Sequence, residues 1–201
     1  MLVTEVWATP TPRDISKWTH DGWLLADKSH FSCSTIKENT VASMKDAIQH
    51  GADMVEFDVQ VSRDLVPVLY HEFRLCVQTK TKIGGELMLD IPVKDLSLAE
   101  LQRLKIHHPS EKEGGVKMFG NDGQEDHEPF PTLEDVLVKL DTHCGFNIEI
   151  KYGQLMKDQQ EEDKNPMEMN LFLDQILKSV IKHGADRKIV FSSFNPDICT
   201  M

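Results

Sequence analysis

With 33 acidic against 22 basic side chains, this 201-residue chain carries a formal net charge of −11. It lacks the basic excess that binding a nucleic-acid backbone or an anionic membrane surface requires. Its length favours one domain with a real core, and any anionic ligand would need a local cation to meet it.

No stretch reaches the roughly 18 to 20 apolar residues of a membrane span. Residues 1–6 are a short apolar run broken by Glu5 and followed at once by Pro10, Pro12 and Arg13, unlike a secretion signal. Cys33, Cys76, Cys144 and Cys199 lie far apart, with no C-x-x-C and no histidine at zinc-ligand spacing. Reduced thiols in a soluble cytoplasmic protein are the expectation.

Residues 1–37 show no strong periodicity, although residues 22–26 could form a short strand. Val41, Met44, Ala47 and Ile48 then fall on one helical face. Asn39 or Thr40 can cap that helix, and Gly51 ends it. Met54–Val61 reads as a strand, Arg63-Asp64 as a turn, and residues 66–70 as a second strand. Ser97-Leu98-Ala99-Glu100 is a capping-box sequence opening a helix through Leu104. Thr132 begins another, with Leu133, Val136, Leu137 and Leu140 as its apolar stripe. Residues 146–151 read as a strand, Met169–His183 as a helix closed by Gly184, and residues 188–194 as a strand. Residues 111–128 and 158–168 are acidic, polar and aperiodic, either disordered or a rim on the scaffold. Strands alternating with helices predict a parallel sheet, open or closed into a barrel.

The informative feature is a violation of pattern. Strands of a parallel sheet covered by helices should be nearly continuous apolar runs. In Val55-Glu56-Phe57-Asp58-Val59, two carboxylates sit two residues apart and so share a face. In Asn147-Ile148-Glu149-Ile150-Lys151, Glu149 and Lys151 do the same. A buried carboxylate needs a partner. One reading is an ion-pair network around Lys151; the other is a metal or catalytic site, where clustered oxygen ligands suit Mg²⁺ or Ca²⁺. His71 ends the strand after Tyr70 and is followed by Glu72, a place where barrel enzymes carry catalytic groups. His107, His108 and His127 lie in or beside polar loops and are expected to face solvent.

The run ENTVASMKDAIQHGADMVEFDVQVSRDLVPVLYHE, from Glu38 to Glu72, resembles the signature of the glycerophosphodiester phosphodiesterase family. IPVKDL, FPTL, GFNIEIK, MNLFLDQIL and IVFSSFNPDICTM follow in order. These later pieces resemble the eukaryotic glycerophosphocholine branch. The resemblance implies an α/β fold, a TIM-type (β/α) barrel, that hydrolyses glycerophosphodiesters to glycerol 3-phosphate and an alcohol. It implies a divalent metal, Mg²⁺ or Ca²⁺, on Glu56, Asp58 and Glu149. His71 then matches one of two acid/base histidines and Lys151 a substrate-side cation. In the family, the substrate's glycerol hydroxyl is taken to be the first nucleophile.

On this reading, residues 1–37 are an unassigned segment and residues 38–201 a partial domain of the family. A small-molecule glycerophosphodiester is the expected partner, with no nucleic acid and no membrane span. Two departures stand out. The family opens with a strand ending in His-Arg-Gly, whereas residues 26–33 read ADKSHFSC, with His30 near the expected place. The chain also ends where the family would continue for about three more βα units of an eight-unit barrel. A catalytically inactive homologue that keeps the metal site, or a phospholipase D-like lyase, are the competing expectations.

Overall fold

A computed structural model describes residues 2–6, 36–80, 86–104, 107–109, 116–118, 125–154 and 161–200. For residues 2–6, 78–80, 86–88, 107–109 and 116–118 it describes the backbone alone. The main sheet has five strands: β1 (Leu2–Val6), β2 (Met54–Val61), β3 (Pro67–Leu69), β8 (Gly145–Ile150) and β9 (Ile189–Ser193). Their order is β1-β9-β8-β2-β3. The central strands β2, β8 and β9 are parallel, while β3 and β1 add antiparallel edges.

Helices cover one face of this sheet: α1 (Val41–Gln49), α3 (Leu133–Lys139) and α4 (Met169–His183). Val55, Phe57, Val59 and Val61 of β2 join Phe146, Ile148 and Ile150 of β8 in the core beneath them. Phe57 and Phe146 meet edge to face with ring centres 5.1 Å apart. Every core residue of β2 is odd-numbered and every one of β8 is even-numbered. Strand parity therefore turns Glu56, Asp58, Asn147 and Glu149 to the opposite face.

Both Thr40 and Thr132 form capping boxes, and Glu168 receives the Asn170 and Leu171 amides at the start of α4. No helix among the described residues is long and apolar enough to cross a membrane.

Several of the described elements differ from expectation, among them the edge strand β1 in the unassigned segment at 1–37, which pairs with β9. The helix opened by Ser97, α2, spans only Leu98–Leu101; Leu101 is its one fully buried residue, and the next bonds are i→i+3 turns. With so little apolar face, nothing favours more turns. A hairpin of β4 (Arg74–Lys80) and β5 (Glu86–Pro92) follows β3. Leu75 and Val77 point inward and Arg74 and Cys76 outward, an alternation that was present in the sequence. A second short pair joins β6 (His107–Pro109) and β7 (Val116–Met118).

At the end of the sheet where β8 begins, Arg187 is almost wholly buried. It donates to four backbone carbonyls: Leu137 (3.2 Å), Leu140 (3.0 Å), Asp141 (2.7 Å) and Cys144 (3.1 Å). Its guanidinium carbon lies 3.9 Å from the Phe146 ring centre. One side chain thus closes the C-terminus of α3 and the turn into β8.

Candidate active site

Parallel pairing sets Asp58 opposite Glu149 and Glu56 opposite Asn147. Each of Glu56, Asp58 and Glu149 offers a carboxylate oxygen within 4.8 Å of the others. Asp58 and Glu149 are 6% and 8% exposed, and Glu56 is half-buried. Just past β8, Lys151 places its Nζ 3.2 Å from Glu149 Oε1 and 3.7 Å from Asp58 Oδ1. Asn39, with a left-handed φ of 54°, grips Asp58 twice. Its Nδ2 donates to Asp58 Oδ2 at 2.9 Å, and its Oδ1 accepts from the Asp58 amide at 3.0 Å. The helix cap is therefore Thr40, and Asn39 serves the site instead.

These contacts favour both expected readings in part. Lys151 forms an ion-pair network, but one ammonium faces three carboxylates. Glu56 has no hydrogen bond or ion pair among the described residues. Burial above all, then the charges of Asp58 and Glu149, push the Glu56 carboxyl up to about 8 against the pull of Lys151. Burial also raises Glu149, an effect that Lys151 opposes. Three carboxylates beside one ammonium are balanced by a second cation or a proton, and a compact set of hard oxygen donors fits Mg²⁺ or Ca²⁺.

A pH dependence follows. Between the unfolded value of 4.5 and about 8, native Glu56 keeps a proton that the unfolded chain has lost. Stability in chelator is therefore highest at the acidic end of that window and falls as pH rises through it. Urea denaturation across the window should show this decline, and Glu56→Gln should reduce its slope. Equal slopes in both proteins would refute the raised pKa.

His71 reaches the site by a route unlike the expected one. β3 is antiparallel to β2, so its end is not the C-terminal end of a parallel barrel strand. β2 runs on to Val61, beyond the last residue of β8, and turns back at Leu65, where φ is 64°. The returning arm pairs the Tyr70 amide with the Asp58 carbonyl at 3.2 Å, bringing His71 level with the carboxylates. Its Nδ1 lies 2.9 Å from Glu72 Oε1, and the ring is about half exposed. A positive charge on it would lower the Glu149 pKa.

Residues 161–168 form a wall beside the site. Lys94 binds Asp163 Oδ1 at 2.6 Å and the carbonyl of Asn165 at 2.7 Å, and it also contacts the carbonyl of Lys164. The Tyr152 hydroxyl donates to the Met167 carbonyl at 2.7 Å. A small cavity between this wall and Lys151 is lined by Phe73, Tyr152, Met167 and Phe172. Of the two acidic excursions, this part is a packed rim.

Parity alone could have flagged Asn147 and Gln60. Ser192 joins Asn147 through a 2.9 Å hydrogen bond from the neighbouring strand, a link that needs the strand order. His127 is half-buried in a turn tied to α1 by the 2.6 Å Lys45–Asp126 pair, so it does not simply face solvent. The side chains of His107 and His108, the stretch at 22–33 with His30, and residues 155–160 lie outside the described residues.

The model of the glycerophosphoryl diester phosphodiesterase family matches residues 27–201. The glycerophosphocholine phosphodiesterase of Homo sapiens is 42% identical over 175 residues, covering 83% of this chain and 26% of that protein. Its Rattus norvegicus counterpart is 42% identical over 174 residues, with the same coverage. The chain thus spans about a quarter of the length of these relatives. Among solved structures, a phosphodiesterase of Oleispira antarctica in complex with the product sn-glycerol-3-phosphate superposes with a TM-score of 0.56 and 26% identity. That match covers 83% of this chain and 56% of the other. The shared fold is of the TIM-barrel type.

Proposed function

Because this chain belongs to the glycerophosphoryl diester phosphodiesterase family, we propose that it hydrolyses glycerophosphodiesters such as glycerophosphocholine to glycerol 3-phosphate and an alcohol, in glycerophospholipid breakdown. Residues 38–201 are the part of the domain that carries the site. Glu56, Asp58 and Glu149 hold one Mg²⁺ or Ca²⁺. The supporting observation is their convergence within 4.8 Å around a single lysine.

A divalent cation there supplies charge stabilisation at the phosphoryl oxygens. Lys151, paired to two of the ligands, adds a fixed positive charge at the same point. Asn39 holds Asp58 in the orientation that aims it at the site. His71 exchanges a proton with a substrate oxygen through Nε2, since Nδ1 is engaged by Glu72. The wall at 161–168, with Phe73 and Tyr152, narrows water access.

Thermal unfolding tests the cation site. At a hundredfold excess over Kd, Mg²⁺ or Ca²⁺ stabilises a one-site protein by about 2.7 kcal/mol, which for this size raises Tm by roughly 5–10 °C. Glu56→Gln should abolish that rise. Calorimetry on folded protein showing no divalent binding would remove the metal site.

A second reading has one observation in its favour. Residues 26–33 lack the family's His-Arg pair, which fits a module that binds without turnover. Intact cation binding with no release of choline, with or without chelator, would select it.

A further inference from the structure

Gln60 sits on β2 two residues beyond Asp58, on the same face by strand parity, and is 5% exposed. Its Nε2 donates to the Tyr70 carbonyl at 2.7 Å and to the Glu72 carbonyl at 2.8 Å. Those two residues flank His71. With two carbonyl acceptors in reach, the amide nitrogen, not its oxygen, must point at them.

The location matters because the strand ladder stops here. The last regular β2–β3 pair is Val59 with Leu69, and the Tyr70 amide makes one more bond to Asp58. Beyond that, the side chain of Gln60 supplies the restraint. The Tyr70 carbonyl lies in the peptide entering His71 and the Glu72 carbonyl in the peptide after Glu72, so the clasp anchors the backbone on both sides of His71 and limits the direction of its Cα–Cβ bond. Glu72, on the second clasped residue, holds the ring through Nδ1.

We infer that Gln60 is the positioning residue for His71: it holds the histidine's backbone so that the imidazole faces the carboxylate cluster. This rests on reading His71 as the acid/base. Gln60 itself is not one of the three clustered carboxylates. Its role is geometric, and misplacing a reacting group by about 1 Å can cost about 10²-fold in rate.

Two variants test it in the 201-residue chain. Gln60→Met keeps the volume and removes both donors, and Gln60→Glu sets an acceptor against two carbonyls. Either should lower kcat for glycerophosphocholine about 10- to 100-fold with KM within about twofold. Neither should slow a His71→Ala background further. A ¹⁵N relaxation measurement gives a readout that does not depend on turnover. The His71 amide order parameter should fall from about 0.85 to below about 0.6, with the β2 amides at 55–59 unchanged.

Loss of order across all of β2 and β3 would show a structural clasp only and overturn the assignment. So would a rigid His71 in both variants, or additive losses in the double mutant. A wild-type chain without turnover whose His71 still loosens in Gln60→Met would instead count against the hydrolase reading and leave the positioning intact.

Discussion

His71→Ala should lower the rate of choline and glycerol 3-phosphate release by about 10²- to 10⁴-fold, the usual contribution of a general acid/base. Cation binding should stay as in the wild type, because the carboxylates come from β2 and β8 and are oriented by Asn39 and Lys151. The residual rate should still vanish in chelator. The half-exposed ring bears little of the core, so the variant should fold with an unchanged Tm. A variant retaining wild-type turnover with intact folding would show that the proton passes elsewhere. His30, in the segment where the family carries its other histidine, would be the next residue to replace.

Arg187→Leu should destabilise the fold by about 3–5 kcal/mol without touching the chemistry. The leucine fills part of the space but leaves four carbonyls, at Leu137, Leu140, Asp141 and Cys144, without their donor. It also removes the stacking on Phe146, a residue at the centre of the helix-covered core. With a urea m-value of about 3 kcal/mol/M for a chain of this length, the midpoint should drop by more than about 1 M. Arg187→Lys should recover only a fraction, since one ammonium cannot span four acceptors laid out for a planar fork. The site lies toward the other end of β8, so cation affinity measured below the transition should match the wild type. Unfolding midpoints within about 0.2 M of each other would show that these carbonyls find other partners.

The sequence by itself determined the central strands, the helices that cover them and the face on which the carboxylates lie. Period-2 alternation in Glu56-Phe57-Asp58 and Ile148-Glu149-Ile150 has one solution once the apolar set is buried. A one-residue slip would carry Phe57 and Ile148 out and three charges into the core. Capping residues Thr40, Ser97 and Thr132 likewise act within one turn, so the starts of their helices could be placed from local chemistry alone.

The tertiary structure decided which strands are neighbours and what surrounds the carboxylates. β2 and β8 are more than 80 residues apart in the chain, and only their parallel pairing sets Asp58 beside Glu149. Asn39 looked like a helix cap because that role is local; its grip on Asp58 depends on a left-handed φ and a long-range contact. His71 was expected at the end of a parallel barrel strand but follows an antiparallel one, because strand direction is set by the hairpin partner and not by the strand's own residues. Arg187 carried no signal at all. Its worth lies in four carbonyls contributed by another helix and its exit turn, and backbone groups have no letter in the sequence.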